Sequence, residues 1–353
     1  MAFIWKRLLA TQGHIPSTAV GSFNQMHSSN SIQRILFTGN PLNRQSSRRS
    51  NTKELLEERN LKARFIVFNH QQFLQTSVGR VAWVQESDLQ PEYSLENVNA
   101  NSVFLGMDEQ MMQPYWAVDV SSSSALILKL EIQPGIRKFV NSRPAAFSLP
   151  TFEASILAQG LSLVDWNLRH VYCPSCGSKT VSGESGYKRL CNTKTCVSYQ
   201  SIQNYCYPRT DPAIIIAVGS TDGQRLLLGR QKKWASKVYS CIAGFMEPGE
   251  SIDEACKREV FEETNVLLRD VRFHSSQPWP FPSQLMLGCI GVASKENIII
   301  HDGELEDAKW FTKDEVKSAL NGNSTSLKLS TSISISYSLI HTWAHSSLSS
   351  AHL

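Results

Sequence analysis

From Gly244 to Val266 the chain reads GFMEPGESIDEACKREVFEETNV, and this stretch decides more than any other. Pro248-Gly249 makes a turn. Ser251, with Glu254 three residues on, is a capping box, so a helix starts there and runs to Thr264. On that helix Glu259, Glu262 and Glu263 stand at i, i+3 and i+4 and share one face. Three like charges on one face repel unless something neutralises them, and Lys257 and Arg258 are too few to do so. A hard divalent cation would, and oxygen ligands at this density suit Mg²⁺ or Mn²⁺. In isolation E-x-x-E-E is more simply a solvated acidic face, so the surroundings must decide.

Upstream, Ala213–Val218 is an apolar, largely β-branched run of the kind found in a buried central strand. Asp222-Gly223 turns it into a second strand, 224–229. Strands are also expected over 238–243, 285–293 and 308–311, and a helix over 332–345. The earlier part of the chain punctuates strand-like runs at 64–68, 80–84, 102–106, 115–120 and 125–130 with Gly, Pro, Asn and Ser. A helix follows, with Phe152, Ile156, Leu157, Leu161 and Val164 at helical spacing. This first part reads as an α+β unit without a cluster of catalytic groups. No internal repeat is visible.

Between the two lie the cysteines. The chain has eight. Cys173-Pro174-Ser175-Cys176 is a tight knuckle, and Cys191 and Cys196 form a second pair after a 14-residue gap. That spacing suits a zinc ribbon, with Zn²⁺ closed and structural, although C-x4-C is looser than the usual second knuckle. Cys241, Cys256 and Cys289 fall in apolar patterns and read as core residues.

The 353 residues exceed one ordinary core, so two or three units are expected, and a net charge of +4 points to no particular partner. No apolar run is long enough to span a membrane. Residues 1–53 contain no Asp or Glu, are basic and Ser-rich, and place Phe3, Ile4, Trp5, Leu8 and Leu9 where a short amphipathic helix would use them. This is the make-up of a mitochondrial transit peptide, and a plain disordered tail is the alternative. Ala351-His352-Leu353 distantly echoes a peroxisomal address. The expected division is 1–55 transit peptide or disorder, 56–168 an N-terminal α+β domain, 169–208 the ribbon, 209–345 the domain with the carboxylates, and 346–353 a frayed tail. Mitochondrial localisation is expected, with peroxisomal or cytosolic as alternatives.

The spacing Gly244, five residues, Glu250, seven residues, Arg258-Glu259, then Glu262-Glu263 resembles the Nudix box, G-x5-E-x7-R-E-U-x-E-E-x-G-U. Val260 and Val266 fill the two bulky aliphatic positions. Asn265 replaces the late Gly, and Asn is the next best residue for a left-handed helix end. Ten residues beyond the box, Ser276-Gln277-Pro278-Trp279-Pro280-Phe281-Pro282-Ser283 resembles the S-Q-P-W-P-F-P-x-S motif of the NADH pyrophosphatase subfamily, one residue shorter before its Ser. Its prolines lead us to expect a stiff extended loop that presents two rings. The order of ribbon, Tyr207-Pro208-Arg209 and box matches that subfamily too.

The resemblance implies an α+β protein: a Nudix α/β/α sandwich with a mixed sheet, preceded by a small zinc ribbon and an N-terminal domain. It implies that Glu259, Glu263 and Glu304 ligate Mg²⁺ or Mn²⁺. Glu262 would bind a second ion or position water, and Gly244, Glu250 and Arg258 would hold the loop-helix-loop shape. Gln277, Trp279, Phe281 and Ser283 would contact substrate, and Ser336, by a looser match, would lie near the nucleotide. The implied activity is hydrolysis of NAD(H) to (reduced) nicotinamide mononucleotide and AMP, with NAD-capped RNA as a second substrate and a homodimer as the assembly. Two alternatives stand beside it: a Nudix hydrolase for another diphosphate such as ADP-ribose, and a non-catalytic zinc-ribbon nucleic-acid binder.

Overall fold

A computed structural model describes residues 35–131, 136–200, 206–300 and 303–346, apart from the side chains of residues 60 and 61. The first sheet joins β1 (Arg64–Asn69), β2 (Gln72–Thr76), β3 (Ser102–Asp108), β4 (Gln113–Asp119) and β5 (Arg137–Asn141) in the order β3-β4-β1-β2-β5. Helix α1 (Thr52–Lys62) precedes it, α2 (Leu95–Asn101) and α3 (Ser124–Glu131) interrupt it, and α4 (Thr151–Arg169) closes it. A two-stranded hairpin, β6 (Thr180–Gly183) and β7 (Lys188–Cys191), follows Cys173 and Cys176 and ends at Cys191.

The second sheet contains β8 (Asp211–Gly219), β9 (Arg225–Arg230), β10 (Ile242–Phe245), β11 (Leu267–Trp279), β12 (Gln284–Lys295) and β13 (Asp307–Thr312). Its order is β11-β12-β8-β9-β13, with β10 also paired to β8. Helix α5 (Ile252–Thr264) packs on one face, and α6 (Lys313–Leu320) and α7 (Ile335–His345) complete the fold. Ile214 and Ile216 of β8 are fully buried under α5, while Ile215 and Ala217 face the core shared with α7. A strand buried on both faces needs the continuous apolar run that Ala213–Val218 supplies. Each such Ile side chain contributes about 1.5–3 kcal/mol by burial.

The two sheets have the same topology although the sequence shows no repeat. Antiparallel β3-β4 corresponds to β11-β12, parallel β4-β1 to β12-β8, and antiparallel β1-β2-β5 to β8-β9-β13. Helices α4 and α7 follow the last strand in each and pack on the equivalent strands. The pairing pattern is a property of the backbone, which different side chains reproduce, so residue-by-residue comparison did not reveal it.

Four local expectations are corrected. Residues 125–130 form α3 rather than a strand: Leu126 and Leu130 are buried one turn apart and Leu128 faces outward. Residues 80–84 make isolated bridges to Phe65 and Gln75 rather than a strand. The Pro-rich motif is not wholly a loop: β11 runs through Gln277 and Pro278 to Trp279, paired with Gln284–Leu287. It is an edge strand, where a proline's missing N–H costs no ladder bond. Finally, residues 35–55, expected in the basic leader, include buried Ile35, Leu36, Phe37, Leu42 and Leu55. Residues 1–34 and 347–353, with the rest of that leader and the C-terminal tripeptide, lie outside the described residues. No helix among the described residues is long and apolar enough to cross a membrane.

Candidate active site

The box folds as its spacing requires. The Ser251 hydroxyl accepts from the Glu254 N–H at 3.3 Å, and the Ser251 N–H donates to the Glu254 carboxylate at 2.7 Å. At the other end Asn265 takes φ 63° and its N–H donates to the Phe261 carbonyl, the left-handed cap expected of it. Arg258 is the hub between these ends. Its guanidinium donates to both oxygens of Glu250 (2.5 and 2.9 Å), to Glu259 (2.9 Å), to Glu262 (3.0 Å) and to the Phe245 carbonyl (2.9 Å). The planar fork of Arg suits several bonds of this kind. Arg258 holds the Glu250 carboxyl at a pKa of about 2. Burial pushes the Glu259 carboxyl up despite its bond to Arg258, with Glu262 and Glu304 adding to the rise.

These groups surround one cavity of about 530 Å³. Glu259, Glu262, Glu263 and Glu304 line it, with Glu247, Phe245 and Gln284. Glu263 is 5 % exposed. Gly244 is needed for steric reasons, because a Cβ there would fall inside the Glu259 carboxylate. Five carboxylates round an open cavity are a donor set for hard cations such as Mg²⁺ or Mn²⁺.

The aromatic motif is divided. Trp279 and Ser283 line an adjoining cavity of about 340 Å³ with Arg44, Tyr187 and Arg209, and Gln284 lines both cavities. Phe281 belongs to a ring cluster: it lies 5.6 Å from Trp279 and 5.9 Å from Phe37, edge-on to both. The Gln277 side chain is 1 % exposed, its amide donates to the carbonyls of Leu36 (3.1 Å) and Ile333 (3.2 Å), and its oxygen accepts from the Ile335 N–H (2.9 Å). These three bonds make Gln277 a clamp between the motif, Leu36 and the start of α7. Ser336 is also turned inward, 4 % exposed and 2.8 Å from the Ser240 hydroxyl.

The four predicted cysteines converge: their Sγ atoms lie within 4.8 Å of one another, with Cys173–Cys196 at 3.8 Å and Cys176–Cys191 at 3.6 Å. A tetrahedron of thiolates around Zn²⁺ at about 2.3 Å has edges of about 3.8 Å, so the donor set fits. The loose second knuckle is accommodated because a turn from Thr193 to Cys196 brings Cys196 back toward Cys173. Cys206 stands outside the cluster, and Cys241, Cys256 and Cys289 are buried.

Comparison with known proteins finds the same two domains. Residues 209–330 match the NUDIX domain, and residues 62–166 match the "NADH pyrophosphatase-like rudimentary NUDIX domain". The human NAD-capped RNA hydrolase NUDT12 is 33 % identical over 361 residues, covering 93 % of this chain and 77 % of that protein. The chain belongs to the Nudix hydrolase family. Within the family it carries the NADH pyrophosphatase-like arrangement of domains. The Saccharomyces cerevisiae NAD-capped RNA hydrolase NPY1 is 38 % identical, with 59 % of this chain and 58 % of that protein covered. The human mitochondrial NAD(P)H pyrophosphatase NUDT13 is 34 % identical, with 62 % of each covered.

Sequence reasoning missed three residues of this Nudix site. Glu247 and Phe245 fall at free positions of the box, yet both line the carboxylate cavity, and the Phe245 ring is 54 % exposed. Position between the box glycine and the turn was the available signal for them. Gln284 carried no signal, because its role comes from β12 beginning where the two cavities meet.

Proposed function

We propose that this chain hydrolyses the diphosphate of NAD(H), adding one water across the P–O–P bridge to release AMP and (reduced) nicotinamide mononucleotide, and that the same site removes NAD from capped RNA. The observation that carries the reading is the cavity in which Arg258 fixes the box carboxylates opposite Glu304, joined through Gln284 to a second cavity walled by Trp279 and Tyr187. A dinucleotide needs both halves: charge control at the diphosphate and flat surfaces for bases.

Glu259, Glu263 and Glu304 would hold Mg²⁺ or Mn²⁺, with Glu262 and Glu247 at the rim. Such ions neutralise phosphate oxygens and acidify bound water. The protein's own contribution is geometric. Arg258 keeps Glu259 and Glu262 from splaying, Gly244 leaves room for the Glu259 carboxylate, and Phe245 and Trp279 offer ring faces. The four cysteines would hold one structural Zn²⁺, which elemental analysis should find at one per chain. The basic leader is proposed to direct the protein to mitochondria. Because Ile35–Phe37 are packed, its removal should end before Ile35, and N-terminal sequencing of the mature protein tests this.

The deciding experiment incubates the protein with Mn²⁺ and, in parallel, NADH, NAD⁺, ADP-ribose and NAD-capped RNA, with products read by mass spectrometry. Mononucleotide and AMP from NAD(H) at the highest rate support the reading. Faster cleavage of ADP-ribose would move the assignment to that substrate, and salt-dependent RNA binding without any product would reject an enzyme altogether.

A further inference from the structure

The segment Ile35–Asn43 belongs to neither matched domain, yet it ties both to the aromatic motif. Ile35 is in the core under α7, whereas Leu36, Phe37 and Leu42 are in the core under α4. The Leu36 N–H donates to the Ile333 carbonyl at 3.1 Å, and the Leu36 carbonyl accepts from Gln277. Downstream, Asn40 donates to Gln159 at 2.9 Å, and Asn43 exchanges two 2.9 Å backbone bonds with Met107 at the edge of the first sheet. Between these anchors Phe37 has φ 70° and is 2 % exposed. A bulky residue in the left-handed region is held there only by its surroundings, at a cost of roughly 1–3 kcal/mol. Its ring edge meets Trp279 at 6.2 Å and Phe281 at 5.9 Å, with Phe147 completing the cluster. Phe37 also lines the cavity of Trp279 and Gln284.

We propose that Phe37 is a positioning residue: the strap Ile35–Asn43 wedges its ring against Trp279 and Phe281 and thereby sets the shape of the base-binding cavity. The proposal rests on the NAD(H) reading for its substrate, but not for its structural half. Phe37 touches no carboxylate of the cavity around Glu259, so it acts on binding rather than on the chemical step.

The test uses the full-length chain with Phe37→Gly, which adopts the backbone without strain and removes only the ring, and Phe37→Leu, which restores an apolar filler. Phe37→Gly should raise KM for NADH about five- to tenfold with kcat within about twofold, and Phe37→Leu should recover part of the loss. Hydrogen exchange should accelerate over residues 277–283 while β8 and α5 keep parental protection. An unchanged KM, or exchange that rises uniformly, overturns the proposal. If the parent protein does not cleave NADH, the functional reading fails, and the local exchange measurement still decides whether the strap positions the motif.

Discussion

The two sheets of this protein have the same strand order, yet only the second carries a candidate active site. In the second, the segment between β9 and β11 is the box: a turn, a capped helix and carboxylates pinned by Arg258. In the first, the segment between β2 and β3 holds the short helical turn Glu86–Leu89 and then α2, whose acids are not gathered by an arginine hub. Arg59 is the buried arginine there, and it bonds Glu86 at 2.6 Å and Asn99 at 2.7 Å as an internal tie. One backbone plan therefore supports either a site or a plain core, and about twenty residues in one connection decide which. Fold and function are separable in a single chain.

The largest effect should come from removing a box carboxylate, set against a carboxylate in the corresponding connection of the first sheet. Glu263→Gln should lower turnover on the order of 10²–10³-fold with the thermal midpoint preserved, because the amide keeps the shape of the side chain and removes only its charge. Glu96→Gln on α2 should leave turnover within about twofold. Equal losses from both would erase the distinction between the sheets. Gly244→Ala is next: displacing the Glu259 carboxylate should cost about 10²-fold in kcat, and crystallography of the variant should show that carboxylate moved.

Acid should distinguish the two connections as well. Glu250 is held at a pKa of about 2 by Arg258, below its unfolded value, so the stability it adds is present above the ordinary carboxylate range and is lost as pH falls toward 2. Glu250→Gln should be less stable than the parent at neutral pH, with the gap closing on acidification. Urea midpoints measured as a pH series give the answer, and a gap that widens in acid contradicts it. The smallest effect belongs to the helix cap. Asn265→Ala should cost about 1 kcal/mol and Asn265→Gly should change stability by only a few tenths, with little change in turnover.

Much of the candidate site was legible because its information is local. Helix spacing put the glutamates on one face, the capping box fixed where α5 begins, and Asn265 marked its end. Cysteine spacing likewise anticipated the thiolate cluster. The substrate motif was less legible for the opposite reason. Its residue types suggested contacts, but whether an amide faces a ligand or the protein depends on partners far away in the chain.

What the sequence alone determined was the box helix with its glutamates on one face and the two cysteine knuckles, which follow from spacing along the chain, and the family, which follows from the resemblance of those motifs to the Nudix box. Only the tertiary structure decided that Gln277 is a clamp on Leu36, 241 residues distant, that Ser336 is buried against Ser240, that Gln284 joins two cavities, that the first sheet repeats the second, and that residues 35–43 belong to the fold. Hydrogen bonds and burial are satisfied by whatever the folded chain brings near, and the order of residues along the chain does not record that proximity.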